Sequence, residues 1–407
     1  MTGRNSKFRI FLIVITGIIL IQAGELAAQK VEMVNGVRVV HNRAKGLWGK
    51  KPAISLEPVR KLGDIDSPDP NTAFYMPAAV ALDSAGNIYV LDTGNNRIQK
   101  FAADGKFLAS LGRFGQGPGE FNYPSWLDID EAGHLYVTDP FNERIQILTA
   151  DGKELRTIRF TEGQIGNVFV KRDGRLIMGQ ATVSFRFITP GEKKPAGLPK
   201  LVKVLDAAGK TVSEFGEMVD TGEELLTNTI NQFVLTVDDN DNVYLAFPYQ
   251  NRIEKYSADG RLIWRADREL PYSLEVQDKG SVERREGGVS IRSPIINRSS
   301  EGLAVDGKGR VWVITLARQL KKEERVGIGV SISQSASGGR QVGFKPHGDT
   351  ELRETDAYKL EIFDPEGVLL GEIPLKQFVD GLFIRGDRLF LLDRLRGASV
   401  QEFRIKE

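Results

Sequence analysis

A segment of this chain returns 47 positions later, almost residue for residue. Asp83-Ser-Ala-Gly86-Asn-Ile-Tyr89-Val90-Leu-Asp92-Thr-Gly-Asn95-Asn-Arg97-Ile98-Gln99 reappears as Asp130-Glu-Ala-Gly133-His-Leu-Tyr136-Val137-Thr-Asp139-Pro-Phe-Asn142-Glu-Arg144-Ile145-Gln146. Ala103-Asp104-Gly105-Lys106 reappears as Ala150-Asp151-Gly152-Lys153, and Pro77 as Pro124. A fixed period of this length marks one supersecondary unit stacked on copies of itself. It overrides the two or three separate domains that 407 residues would otherwise suggest.

Each unit holds four short apolar runs: Val80-Ala-Leu, Ile88 to Leu91, Ile98 to Phe101 and Phe107 to Leu111. Runs of this length, rich in Val, Ile, Tyr and Phe and bounded by Gly, Asp and Asn, read as strands. Asp83-Ser-Ala-Gly86 and Ala103-Asp104-Gly105-Lys106 supply the tight turns, with glycine where the backbone needs positive φ. The unit is therefore a four-stranded antiparallel meander, strands a to d. No helical periodicity competes beyond the N-terminal segment, so an all-β chain is expected.

Weaker copies follow. The third opens at Phe169 and closes around Val204 to Lys210; the fourth runs from Val237 to Arg261. The fifth opens at Leu303 and resumes at Tyr358 after an insertion, 316–356; the sixth runs from Leu382 to Ile405 and stops after strand c. Pro58-Val-Arg-Lys-Leu62-Gly63 resembles Phe107-Leu-Ala-Ser-Leu111-Gly112 and supplies the missing strand d. Pairing it into the last sheet closes a ring and removes an open edge. The expected architecture is a six-bladed β-propeller over 58–407, preceded by a hairpin and linker, 29–57, that turns at Asn35-Gly36 outside the ring.

Residues 1–28 read as a secretory signal: Arg4, Lys7 and Arg9, then the apolar run Ile10 to Ile21, then Leu26-Ala27-Ala28. The run is short for a bilayer span, so cleavage is expected, with a retained membrane anchor as the alternative. The protein is expected in the periplasm or secreted, and monomeric. With no Cys, disulfides, thiol catalysis and thiolate metal sites are excluded. Losing the three basic groups and one acid of 1–28 takes the net charge from +1 to about −1, which argues against nucleic acid as a partner.

The repeated unit resembles the NHL repeat, down to the linker Gly115-Gln-Gly-Pro-Gly119-Glu-Phe121 before the next blade. The resemblance is strong across 77–160, fair across 234–265 and weak elsewhere. It implies a propeller and a binding scaffold; a few relatives are enzymes that hold a metal in the central channel.

Propeller topology puts the a–b and c–d turns on one face and the b–c and d–a connections on the other. The first set is uniformly tight. Every long segment falls on the second: 112–123, 180–200, 216–230, 267–299 and 316–356. Binding residues gather on variable loops held by a rigid scaffold, so this face is expected to engage a protein, peptide or glycan. Phe114, Phe121, Tyr123, Phe141, Tyr249 and Phe344 are the candidate contacts, with Phe185, Phe187 and Tyr272 also on these loops. The stretch Val326 to Ile332 is expected either to extend blade five as a hairpin or to cover the channel.

The Asp92/Arg97 and Asp139/Arg144 pairs flank b–c turns and read as structural. The three histidines, His41, His134 and His347, fall too far apart to build a zinc site, and no Ser-His-acid set can be assembled. Aligning the blades on strand a places Ala78, Ser125, Gly166, Phe233, Glu301 and Asp380 at the channel mouth. Glu301 and Asp380 become neighbours, with Asn167 one step along. No cofactor is expected; oxygen ligands of this kind would suit Ca²⁺. The alternative reading is a metal-dependent hydrolase or lyase built on them, a loose resemblance to gluconolactonase-type propellers.

Overall fold

The computed structural model describes residues 29–49, 51–160, 165–180, 197–285, 288–334 and 340–407. The signal segment and Phe185 and Phe187 lie outside them. Six four-stranded antiparallel blades form the ring. Blade one is Ala79–Leu82, Ile88–Asp92, Arg97–Phe101 and Phe107–Leu111, in the order a-b-c-d. Blade two is Trp126–Ile129, Leu135–Asp139, Arg144–Leu148 and Glu154–Arg159. Blade three, Val168–Val170 to Thr211–Phe215, and blade four, Val234–Val237 to Leu262–Arg268, repeat the order. Blade five runs from Ser300–Val305 and Val311–Leu316 to Tyr358–Phe363 and Leu369–Pro374. In blade six, Gly381–Arg385, Arg388–Asp393 and Ser399–Lys406 are completed by Ser55–Leu62. The N-terminal strand thus closes the ring as the sequence implies, starting at Ser55 rather than Pro58.

The alternation of apolar residues along each strand explains the core. Strands b are buried on both sides, as in Ile88–Asp92 and Leu135–Asp139. Their two faces feed adjacent layers, and six clusters of buried side chains each fill the gap between two neighbouring blades. Val90 and Ile88 pack toward Phe390 and Leu392 of blade six, whereas Tyr89 and Leu91 pack toward Leu127 and Val137 of blade two.

Two parts lie outside the plan. The hairpin Gln29–Val34/Val37–Asn42 turns at Asn35 (φ 50°) and Gly36 (φ 79°), the paired positive φ of a type I′ turn. Its second strand pairs in parallel with Leu262–Arg268 and widens blade four to six strands. A short helix, Glu224–Ile230, interrupts the connection into blade four, against the expectation of no helix. It buries only Leu226 and Thr227, so two turns leave too few apolar positions to show a period. Among the described residues no helix is long and apolar enough to cross a membrane.

Candidate functional site

The tight-turn face is self-satisfied. In four blades the turn acid accepts two or more hydrogen bonds from its own turn and the aromatic six residues on. Asp83 accepts the amides of Ala85 and Asn87 (3.0 and 2.9 Å) and the Tyr89 hydroxyl (3.1 Å). Asp238 does the same with Tyr244, Asp306 with the Trp312 indole and Asp130 with Tyr136. These acids fix turns to strands. At this end of the channel a recess of about 310 Å³ is lined by Asp128, Lys171, Asp238 and Arg385, among others. Burial pushes Asp128 up to about 6.

The repeated Asp/Arg pairs are likewise structural. Asp92 accepts Nε of Arg97 at 2.8 Å, Asn95 at 2.9 Å and the Tyr75 amide at 2.8 Å. Arg144 sits 3.0 Å from Asp139 and donates to the carbonyls of Gln116, Gly117 and Glu120. Each pair therefore clamps the linker entering its own blade. Burial raises both acids despite the neighbouring guanidinium. Blade four replaces the acid with Phe247, and Arg252 stacks 3.6 Å from its ring centre.

The other face carries the helix, a hairpin Ser281–Arg285/Gly288–Arg292 within 267–299, and a hairpin Gly327–Gln334/Arg340–His347 within the insertion. The second hairpin pairs only with itself, so it does not extend blade five. The insertion passes over blade six, where Arg396 donates to the Glu324 carbonyl at 2.6 Å. It reaches blades one and two, where the Phe344 carbonyl accepts the Tyr75 hydroxyl at 3.1 Å. There Phe344 packs edge-on against Tyr123 (4.7 Å) and Phe141 (5.9 Å), and Tyr123 against Phe141 (6.2 Å). Three of the six aromatic candidates thus meet in one cluster, with Phe141 still 43% exposed. Phe114 stands alone in the same linker, 63% exposed. Phe121 is the exception: it is fully buried with Leu111 and Leu127 between blades one and two. Gly112, at φ 84°, lies so close that a Cβ there would overlap the Phe121 ring. Phe121 is a core residue and leaves the candidate surface.

Tyr249 belongs to the channel mouth, 5.9 Å from the Arg298 guanidinium. Glu301 and Asp380 head the neighbouring strands a of blades five and six and share this mouth. Glu301 occupies a β-bulge: Ser300 pairs with Thr315 and Gly302 with Ile314, leaving no partner for Glu301. Blade five is the only blade whose described a–b pairing is broken in this way. Glu301 is ion-paired with Arg298, yet burial still pushes it up to about 7. Asp380, also raised by burial, accepts the Arg394 amide at 2.8 Å. Asn167 contributes its carbonyl to the Gly179 amide of its own blade. Among the described residues no three His, Asp or Glu side chains gather as metal ligands. Sequence reasoning missed the arginines here, Arg298, Arg394 and Arg396; the only signal was two arginines in a b–c turn, Arg394-Leu-Arg396.

Residues 74–101 match the family model of the NHL repeat. No curated protein matches the sequence significantly. Among solved structures, a DUF4221 family member from Bacteroides vulgatus is 10% identical, with a TM-score of 0.53 over 87% of this chain and 99% of its own. An exported protein from Bacteroides fragilis is 11% identical, with a TM-score of 0.52 over 91% and 100%. Virginiamycin B lyase from Staphylococcus aureus is 10% identical over 86% and 99%, at a TM-score of 0.45 too distant to inform function. At these identities the likeness concerns fold. The protein is a six-bladed β-propeller carrying an NHL repeat.

Proposed function

We propose that the protein is an exported binding scaffold that engages a protein, peptide or glycan through its long-loop face. The observation that carries this reading is the contrast between faces. On one, each turn is closed by its own hydrogen bonds; the other carries a helix, two hairpins and the exposed aromatics Phe114 and Phe141. Rigid aromatic side chains such as Phe114 and Phe141 supply contact area at little entropic cost. Export is supported by the basic-then-apolar N-terminus and fits the exported Bacteroides fragilis neighbour.

The hairpin makes the test clean, because Gly327 and His347 are paired at its base. Replacing 328–346 with a short Gly-Ser turn should keep the ring folded and abolish partner capture in a pull-down from envelope extract. Binding partners identified by mass spectrometry and captured equally by both forms, and by a Phe114→Ala/Phe141→Ala variant, would refute the role of these loops.

A further inference from the structure

Buried guanidinium groups in this protein normally face a carboxylate: Arg144 lies 3.0 Å from Asp139, Arg268 2.6 Å from Glu361 and Arg252 3.8 Å from Glu254. Burying a charge without such compensation is costly, so an exception needs a reason. The b–c turn of blade six holds the exception. The half-buried side chain of Arg394 makes no hydrogen bond or ion pair with any described residue; its Nε is shielded and without a hydrogen-bond partner, as are those of Arg252 and Arg268, but unlike them it has no carboxylate within 4 Å. Arg396 beside it is held by the Phe378 ring at 3.5 Å and by the Glu324 carbonyl, and its Nε is also unpartnered. Across the mouth, Arg298 reaches Glu301 with one terminal nitrogen only; its Nε has no partner and its side chain stays 41% exposed.

Arg298 immediately precedes strand a of blade five and Arg394 follows strand b of blade six; the strands a of these two blades pack side by side, and the Arg394 amide donates to Asp380 at the head of its blade at 2.8 Å, so both arginines belong to one sector of the mouth. The Arg298 backbone is fixed from both sides by the Gln319 amide, at 3.0 and 2.7 Å, so the group is preorganised. The bulge at Glu301 adds an unpartnered acceptor, its Oε1, close to Arg298.

We propose that the channel mouth binds a carboxylate-bearing ligand, with Arg394 as the principal anchor and Arg298 as the second. A guanidinium with free N–H groups takes a carboxylate through paired, charge-assisted hydrogen bonds. The flanking Glu301 and Asp380 offset much of the positive charge of the two arginines, so the mouth disfavours a phosphate dianion more than a carboxylate monoanion. The Tyr249 ring beside Arg298 offers a flat surface for the remainder of the ligand. This site shares the long-loop face but does not depend on the hairpin, so it and the scaffold reading fail separately.

The test uses the mature full-length chain and three probes at matched ionic strength: galacturonate, N-acetyl-Ala-Ala and inorganic phosphate. Titration calorimetry should show binding of a carboxylate probe, and which of the two binds tells an acidic glycan from a peptide C-terminus. Arg394→Met should weaken that binding at least about tenfold, the loss of one charge-assisted contact. Arg394→Lys should retain only part of the affinity, and Arg404→Met, on the outer surface, should change nothing. Failure of both carboxylates to bind, tighter binding of phosphate, or undiminished binding by Arg394→Met would each overturn the assignment.

Discussion

The buried pair Arg268–Glu361 gives the sharpest test of how the blades are held together. Arg268 ends strand d of blade four and Glu361 lies in strand c of blade five, so their contact crosses an inter-blade layer. Nε of Arg268 lies 2.6 Å from Oε2 of Glu361, with the side chains 1% and 2% exposed. The guanidinium also donates to Ser300 Oγ (3.0 Å), Thr315 Oγ1 (3.2 Å), Asn251 Oδ1 (3.3 Å) and the Ser299 carbonyl (3.4 Å), and Thr315 in turn donates to Glu361 at 2.8 Å. Breaking such a pair from one side costs about 3–5 kcal/mol, because a buried charge is left behind. The two sides should differ. After Arg268→Met, Glu361 keeps Lys359 at 3.0 Å, so the loss should be near 3 kcal/mol, the lower end. After Glu361→Met, Arg268 has no other carboxylate, while Lys359 keeps Glu372 at 2.6 Å; the loss should approach 5 kcal/mol. The double variant Arg268→Met/Glu361→Met should return to within about 1 kcal/mol of the parent, since apolar replacement of a whole buried pair is often neutral. Urea unfolding measures this through the midpoint at constant m-value, and the double-mutant cycle isolates the coupling. For a chain of this size about 4 kcal/mol corresponds to roughly 5 °C in melting midpoint. Additive single losses, or single losses below about 1 kcal/mol, would refute the idea that this pair locks blade four to blade five.

Phe121→Ala should cost about 3–5 kcal/mol in urea unfolding and Phe114→Ala almost nothing, although both lie in one linker, because only Phe121 fills an inter-blade core. Equal effects would contradict the assignment of core and surface. Glu301 has a folded pKa of about 7, above its ordinary value, so the folded state holds its proton more tightly than the unfolded chain. Its stabilising contribution is full below about pH 4.5 and is lost as pH rises through 7. Glu301→Gln should therefore flatten the unfolding midpoint between pH 5 and pH 8 and stabilise the protein at the upper end; a steeper loss in the variant would reverse the argument. If the channel acids do not hold a cation, neither Ca²⁺ nor chelator should move the melting curve, whereas a Ca²⁺ shift cancelled by Glu301→Ala would restore the metal-site reading.

The ring was legible because its physics repeats. Gly86 and Gly133, the turn acids Asp83 and Asp130, and the strand residues between them serve the same local purpose in each copy, so identity of residue reports identity of structure. The closing strand at Ser55–Leu62 could be inferred for the same reason, from a missing copy. Local periodicity carries no comparable signal for the helix Glu224–Ile230, which is too short to show one, or for Phe121. The linker motif that exposes Phe114 also buries Phe121, and only the depth of the gap beside Gly112 separates them. Nor could strand patterning reveal which neighbour the insertion rests on. The docking of Phe344 against Tyr123 and Phe141 joins blade five to blades one and two over more than 200 positions of sequence.

The same reasoning explains why the channel mouth stands apart from the ring. Across the repeats each acid is answered nearby: Asp83 by its own turn, Asp92 by Arg97, Asp139 by Arg144. At the mouth the acids are also answered, Glu301 by Arg298 and Asp380 by the Arg394 amide, but the local geometry departs from the repeats at adjoining blades. Blade five opens its a–b ladder at Glu301, and blade six offers Arg394 with no carboxylate on its side chain. A scaffold under selection for stability alone has a simple remedy available, a hydrophobic residue at 394, and a neutral isostere at 301 would remove a buried charge. Retaining both places the cost where loops are longest and where a ligand could offset it. That coincidence of unmet charge with the irregular face links the two proposals without making either depend on the other. If Arg394→Met proved both more stable and indifferent to carboxylates, the mouth would be an imperfect patch of scaffold and the function would have to be sought entirely in the hairpin and its aromatic neighbours.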